Sequence, residues 1–75
     1  MINVWEYADA RTVRVTATDG SVWQGQVCSV IDREERTDIE PQEDAIALTF
    51  ENGQDVEFDA SEISCIEVLD MYQYD

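Results

Sequence analysis

The sequence predicts an all-β domain, in which five strands form a strongly bent antiparallel sheet that closes into a small barrel after a short N-terminal helix. Three observations lead to this fold class. Apolar and polar residues alternate in several short runs, as in half-buried strands. Asp19-Gly20 and Asn52-Gly53 follow such runs and are typical of hairpin turns. The chain has 75 residues, enough for one core, so we expect 1–75 to be a single domain.

The first ten residues have the spacing of a short amphipathic helix. Asn3 is a suitable cap for it. Trp5 and Tyr7 are costly to leave in water, so we expect segment 1–10 to act as a lid over one open end of the barrel. The apolar residues at helical spacing are Ile2, Trp5 and Ala8.

The predicted barrel spans 12–68 and begins with a strand in which Val13, Val15 and Ala17 alternate with polar residues. Since a glycine in second place suits a two-residue hairpin loop, Asp19-Gly20 predicts that the next run pairs antiparallel with this strand. That run, 21–31, is long and has Gly25 near its centre. We expect a bend or a close backbone approach at this glycine.

An acidic loop is predicted over 32–44, where Pro41 and many charged residues leave no strand or helix periodicity. A third strand follows, with Ile46, Leu48 and Phe50 on one face. A fourth holds Val56 and Phe58. A tight helical turn over 59–62 leads into a fifth strand over 63–68, and 70–75 form a tail.

The charge of the chain limits its partners. It has 18 Asp and Glu residues against four Arg and no Lys, a formal net charge of −14. Such a chain repels phosphate backbones and anionic membranes. With no histidine and no CxxC pair, we expect neither a zinc site nor a cofactor. Two free cysteines and no signal-like N-terminal segment favour a cytoplasmic protein.

The order of these elements, from 12 to 68, resembles the Sm-like (LSm) family of small β-barrels. The family's first motif is matched by Val13, Val15, Asp19-Gly20, Gly25 and Asp32. Its second motif is matched by Phe58, Asp59-Ala60, Ser61-Glu62, Ile63 and Ile66. The resemblance implies the bent five-stranded barrel. It also implies assembly into rings, in which the fourth strand of one copy pairs with the fifth strand of the next.

The chain departs from the family where RNA is bound. The family uses an Asn four residues after the Asp of the first motif, and the Arg or Lys of the second. Asp32 is kept here, but Arg36 and Asp59 occupy the two RNA-binding positions and Ala60 replaces the usual Gly. Because Asp59 would repel a phosphate, the resemblance carries over the fold and not the RNA site.

Other candidate sites have ordinary structural explanations. The carboxylates of loop 32–44 lack the spacing of a calcium loop, so we predict no metal site. No histidine, lysine or recognisable nucleophile accompanies the carboxylates, and we therefore expect no catalysis. We expect Trp5 and Trp23 to pack in the core, with a stacking surface for a base or a peptide as the alternative.

The strand edges are the predicted interaction surface, because main-chain pairing needs no particular side chains. The residues concerned are Gln54, Val56, Phe58, Ile63, Cys65 and Ile66. The leading hypothesis is a non-catalytic module that self-associates through these edges and offers an acidic surface to a basic protein partner. An RNA-binding ring using another surface and an acidic mimic of DNA remain alternatives.

Overall fold

Five strands form one antiparallel sheet in the computed structural model, which describes residues 2–35 and 43–71. The strands are β1 (Ala10–Ala17), β2 (Val22–Ile31), β3 (Ala45–Thr49), β4 (Asp55–Asp59) and β5 (Ile63–Met71). Their order across the sheet is β4-β3-β2-β1-β5. Three 3-10 turns complete the described structure: η1 (Val4–Tyr7), η2 (Arg33–Glu35) and η3 (Ala60–Glu62). The prediction of an all-β fold is confirmed.

Both predicted hairpins are present, but each loop holds three residues instead of two. In the first, the N–H of Gly20 donates to the carbonyl of Ala17, whose own N–H donates to the carbonyl of Ser21. The second loop repeats this arrangement between Phe50 and Gln54. Gly20 and Gly53 have φ values of 90° and 84°, in the left-handed region where side chains are strained. A glycine in the last loop position is typical of three-residue hairpins.

Gly25 allows β2 to pass close to the end of β3. A Cβ atom at this position would lie 2.9 Å from the carbonyl oxygen of Thr49 and 2.9 Å from the Phe50 ring. The close backbone approach predicted for this glycine is therefore confirmed. The pairing of β2 with β3 shifts register between Val27 and Ser29, a few residues beyond it.

The core lies on the face of the sheet that carries Val13, Val15, Ile46 and Leu48, here called the concave face, and the opposite face is called the convex face. Alternate residues of every strand contribute to it, as the sequence pattern predicts. Ile46 and Leu48 of β3, together with Val13 and Val15 of β1, are fully buried. In β3 the other face is covered as well, because Ala45 and Ala47 are also buried. The strand therefore has no solvent-exposed face over 45–48.

The N-terminal segment forms one 3-10 turn, shorter than the helix predicted over 1–10. The Asn3 side chain accepts a hydrogen bond from the Trp5 N–H at 3.1 Å, as expected of a cap. The prediction that Trp5 covers the core is wrong, since its side chain is 46% exposed. Val4 is buried instead, and Ile2 and Tyr7 are partly buried against the core. In so short a turn only one of these neighbours can point directly inward.

One further prediction is not shown by the structure, and another differs from it. The sheet is open, with β4 and β5 as its outer strands, so closure into a barrel is not shown. The fifth strand is also longer than predicted, since it includes Asp70 and Met71, which were assigned to the tail. β1 begins at Ala10. Because Ala10 pairs with Met71, the end of β5 is held in the sheet.

Among residues 2–35 and 43–71, no helix has the length and apolar character needed to cross a membrane.

Candidate interaction edges

The two strands predicted to mediate assembly are the two outer strands of the sheet. Gln54 directly precedes β4, and Val56 and Phe58 lie within it. Ile63, Cys65 and Ile66 lie on β5. The side chains of Phe58, Ile63 and Ile66 are buried in the core. At these positions the backbone, and not the side chain, is what the edge can offer to another strand.

In β4, the acidic residues direct their backbone N–H and C=O groups away from the sheet. Hydrogen-bonded and non-hydrogen-bonded pairs alternate along an antiparallel ladder. The Phe50 N–H donates to the Gln54 carbonyl at one end of the β3–β4 ladder, which fixes this alternation. Val56 and Phe58 therefore bond to β3, whereas the N–H and C=O groups of Asp55 and Glu57 point away from the sheet.

The same alternation gives the direction of the main chain in β5. Ala17 bonds to Ser21 across the β1–β2 ladder, so Val15 also bonds toward β2, and the intervening Arg14 bonds toward β5. Arg14 lies opposite Glu67. Glu67 consequently bonds to β1. Its neighbours in the strand, Ile66 and Val68, direct their N–H and C=O groups to the open edge.

The side chains at the two edges differ in character. Those on the outward-bonding residues of β4 belong to Asp55 and Glu57, both exposed on the convex face. β5 instead carries three exposed apolar side chains. Val68 is 39% exposed, Leu69 37% and Met71 55%. β4 has no exposed large apolar side chain. One edge is therefore acidic and the other partly apolar.

Arginines partly neutralise the carboxylates of β5. The Arg14 Nη1 donates to the Glu67 Oε2 at 3.3 Å, and the Arg11 Nε lies 3.8 Å from the Asp70 Oδ2. Both pairs are exposed, so each adds little stability. Their effect is to reduce the local negative charge along β5. Among the described residues, Asp55 and Glu57 of β4 form no ion pair of this kind.

The positions that match the family's RNA site meet at one end of the sheet. Ile31 lies opposite Ala45, and Ala45 lies opposite Asp59, so Asp32 and Asp59 flank the same end of β3. Ala60 is buried and donates its N–H to the Asp44 carbonyl at 2.9 Å. Arg36 lies outside the described residues.

Ala60 fits this turn although the family has glycine there. No residue other than glycine has a positive φ in the described part of the chain. Ala60 is the first residue of η3, where the backbone is helical and a methyl group is tolerated. The replacement therefore does not disturb the turn.

Carboxylates at this end of the sheet accept main-chain hydrogen bonds. Asp44 Oδ1 accepts from the Arg33 N–H at 2.9 Å, and Asp32 Oδ1 from the Glu34 N–H at 2.9 Å. Two further acceptors serve η3 in the same way: Glu43 for the Ser61 N–H at 2.8 Å, and Glu62 for the Asp59 N–H at 3.2 Å. These carboxylates hold short turns in place, and within 2–35 and 43–71 no group of three acids, cysteines or histidines is arranged to hold a metal ion.

Trp23 packs on aromatic residues of the core and remains 40% exposed. A stacking role for this ring stays a prediction. Its ring stacks on Phe50 with centroids 5.9 Å apart, and a tilted contact at the same distance joins it to Phe58. The indole N–H donates to the Ser21 hydroxyl at 2.9 Å. Trp23 thus links β2 to β4 on the concave face, and part of its side chain stays exposed.

A groove of 710 Å³ runs over Gly25 on the convex side. Amide and hydroxyl groups from Gln24, Gln26 and Thr49 line it, together with the edge of Phe50 and a single carboxylate, Glu51. Of the described residues that line the groove, Glu51 alone is acidic and none is basic.

No family model, no curated protein and no solved structure matches this chain.

Proposed function

We propose that this chain is a non-catalytic interaction module with an Sm-like barrel arrangement, which self-associates through its strand edges and offers an acidic surface to a basic protein segment. The observation that carries the proposal is the placement of β4 and β5 as the two open edges of one sheet. An open edge offers a row of main-chain donors and acceptors that another strand can pair with. A small core gives self-association a thermodynamic benefit.

The acidic surface is on the convex side of β4. Asp55 and Glu57 project there, and Glu51 lies in the adjoining loop. A chain with a net charge of −14 attracts cationic segments and repels polyanions. Electrostatic complementarity mainly raises association rates and selects partners. We therefore expect a partner segment rich in Lys or Arg in place of RNA.

Solution mass tests the self-association. Light scattering after gel filtration, at low and at moderate salt, should give a mass above the 8.6 kDa of one chain. We expect the larger species to be favoured at moderate salt, because screening reduces the repulsion between copies. A parallel run contains added RNA. An 8.6 kDa species in every condition would refute self-association, and a mass shift with RNA would restore the RNA-binding alternative.

Peptide binding tests the acidic surface separately. A fluorescent peptide of alternating Lys and Leu should bind, and a matched Glu and Leu peptide should not. The double variant Asp55→Asn, Glu57→Gln removes two charges without removing side-chain volume. It should weaken binding of the Lys peptide by about two- to thirtyfold, since each of the two exposed pairs is worth ~0.2–1 kcal/mol. Equal binding of both peptides would show that charge does not select the partner.

A further inference from the structure

The two edges of the sheet are unequal as surfaces for self-association. Pairing of β4 with β4 of a second copy would place the acidic residues of one strand opposite those of the other, because a two-fold axis brings the same face of both strands together. Like charges directly opposite each other destabilise strand pairs. In the described structure, Asp55 and Glu57 are exposed on that face. β4 is thus protected against pairing with itself.

At the end of β4, one backbone N–H group is already hydrogen-bonded. The Asp59 N–H already donates to the Glu62 side chain at 3.2 Å, within η3. β4 has five residues, whereas β5 has nine. Short, charged edge strands are a common device against association. β5 is longer than β4, and two of its carboxylates are paired with arginines.

β5 has the properties of an edge that can pair. Of its outward-bonding residues, Ile66 is buried in the core, and Val68 has an exposed apolar side chain on the concave face, where it would meet an apolar counterpart in a second copy. Leu69 and Met71 extend the exposed apolar surface along the strand. The two carboxylates of the convex face, Glu67 and Asp70, are accompanied by arginines of β1.

We propose that two copies pair through β5, antiparallel about a two-fold axis, and so join their sheets into one continuous sheet. This inference rests on the proposed self-association and selects the edge that performs it. If Glu67 lay on the two-fold axis, its carboxylate would face the Glu67 carboxylate of the second copy. The axis therefore lies at Ile66 or Val68. β4 stays open on both copies, with its acidic face available to a basic segment.

Two proline variants distinguish the edges. Val68→Pro removes an N–H that points outward from β5, and Glu57→Pro removes one that points outward from β4. Neither removes a ladder bond within the monomer, since proline is tolerated on an edge strand where its nitrogen faces solvent. Light scattering across a concentration series should show twice the monomer mass for the wild type and for Glu57→Pro. Val68→Pro should weaken the dimer by about tenfold or more, because each interface loses two donors.

A second pair of variants tests the apolar surface without touching the backbone. Leu69→Glu adds a negative charge on β5. Val22→Glu adds the same charge at a residue that is 59% exposed on the central strand β2, away from both edges. We expect Leu69→Glu to weaken the dimer by roughly tenfold, since two further carboxylates enter an interface that already contains Glu67 of both copies. Val22→Glu should leave the dimer intact.

The native cysteines provide a readout that needs no mutation. Both are exposed and free, Cys65 on β5 and Cys28 on β2. Thiol labelling of Cys65 should slow as the protein concentration rises and the dimer forms, while labelling of Cys28 should stay constant. A stable assembly that is broken by Glu57→Pro and not by Val68→Pro would overturn the β5 proposal and leave self-association standing. An assembly larger than a dimer would overturn the two-fold arrangement. A monomer in all conditions would overturn both proposals.

Discussion

Replacement of Gly25 by alanine tests the close approach of β2 to the end of β3. The new Cβ would lie 2.9 Å from the Thr49 carbonyl oxygen and 2.9 and 3.1 Å from two atoms of the Phe50 ring. Ordinary contacts between heavy atoms are ~3.5–4.0 Å, so the neighbours must move by about half an ångström or more. The carbonyl belongs to the backbone and cannot move without disturbing the β2–β3 ladder.

The size of the effect follows from two opposing terms. Overpacking by one methyl group costs about 1–3 kcal/mol. Alanine also reduces the entropy of the unfolded chain, which returns about 0.4–1 kcal/mol. Gly25 has no positive φ, so strain of the left-handed region does not contribute. We expect Gly25→Ala to lower the free energy of unfolding by about 1–2 kcal/mol net. For a domain of this size the melting temperature should fall by roughly 4–16 °C.

Thermal unfolding followed by circular dichroism measures this change. Gln24→Ala is the matched control, because Gln24 is exposed and adjoins Gly25 in β2. Exposed substitutions of this kind usually change stability by less than ~0.5 kcal/mol. All melts should use one protein concentration, since association would shift the transition. A Gly25→Ala variant as stable as the wild type would refute the close approach.

Three further outcomes are expected. Val4→Ala should lower the free energy of unfolding in urea by about 2 kcal/mol, because Val4 is buried. Trp5→Ala should lower it by less, because Trp5 is exposed. The reverse order would contradict the packing of η1. The pKa of Asp19 is held below its ordinary value by the Ser21 hydroxyl and then by the Ser21 N–H. Because the folded-state pKa is the lower one, this contact stabilises the protein above the ordinary pKa of the carboxyl and is lost as the pH falls through the folded-state pKa. Carboxyl NMR titration should show that Ser21→Ala raises this pKa, and an unchanged value would show that the hydroxyl has no effect. Added salt should raise the melting temperature of the monomer, since screening weakens the repulsion within a chain of net charge −14, and a falling melting temperature would contradict this.

The strands and turns could largely be predicted from local sequence because their causes are local. Alternation in β1, β3 and β4 sets which side chains face the core, and Gly20 and Gly53 supply the backbone conformations that the hairpins need. The tight turn before β5 was predicted for the same reason. Its acidic residues can satisfy the free N–H groups of a short turn, as Glu62 does for Asp59.

Features that depend on distant residues could not be predicted in this way. The extension of β5 to Met71 depends on its partner Ala10 in β1, far away in sequence. Whether Val4 or Trp5 faces the core depends on how η1 meets the sheet. How far Trp23 is covered depends on its contacts with Phe50, which follows β3, and with Phe58 on β4.

The sequence by itself determined that this is an acidic all-β chain with two glycine hairpins, since composition, period-two alternation and turn residues act over only a few positions. The tertiary structure decided which strands lie at the edges and how their main chains are directed. It also decided that carboxylates line one edge while apolar groups and arginine-paired acids line the other. Edge character is a property of strand order and register, and both arise from pairings between distant segments that no short stretch of sequence encodes.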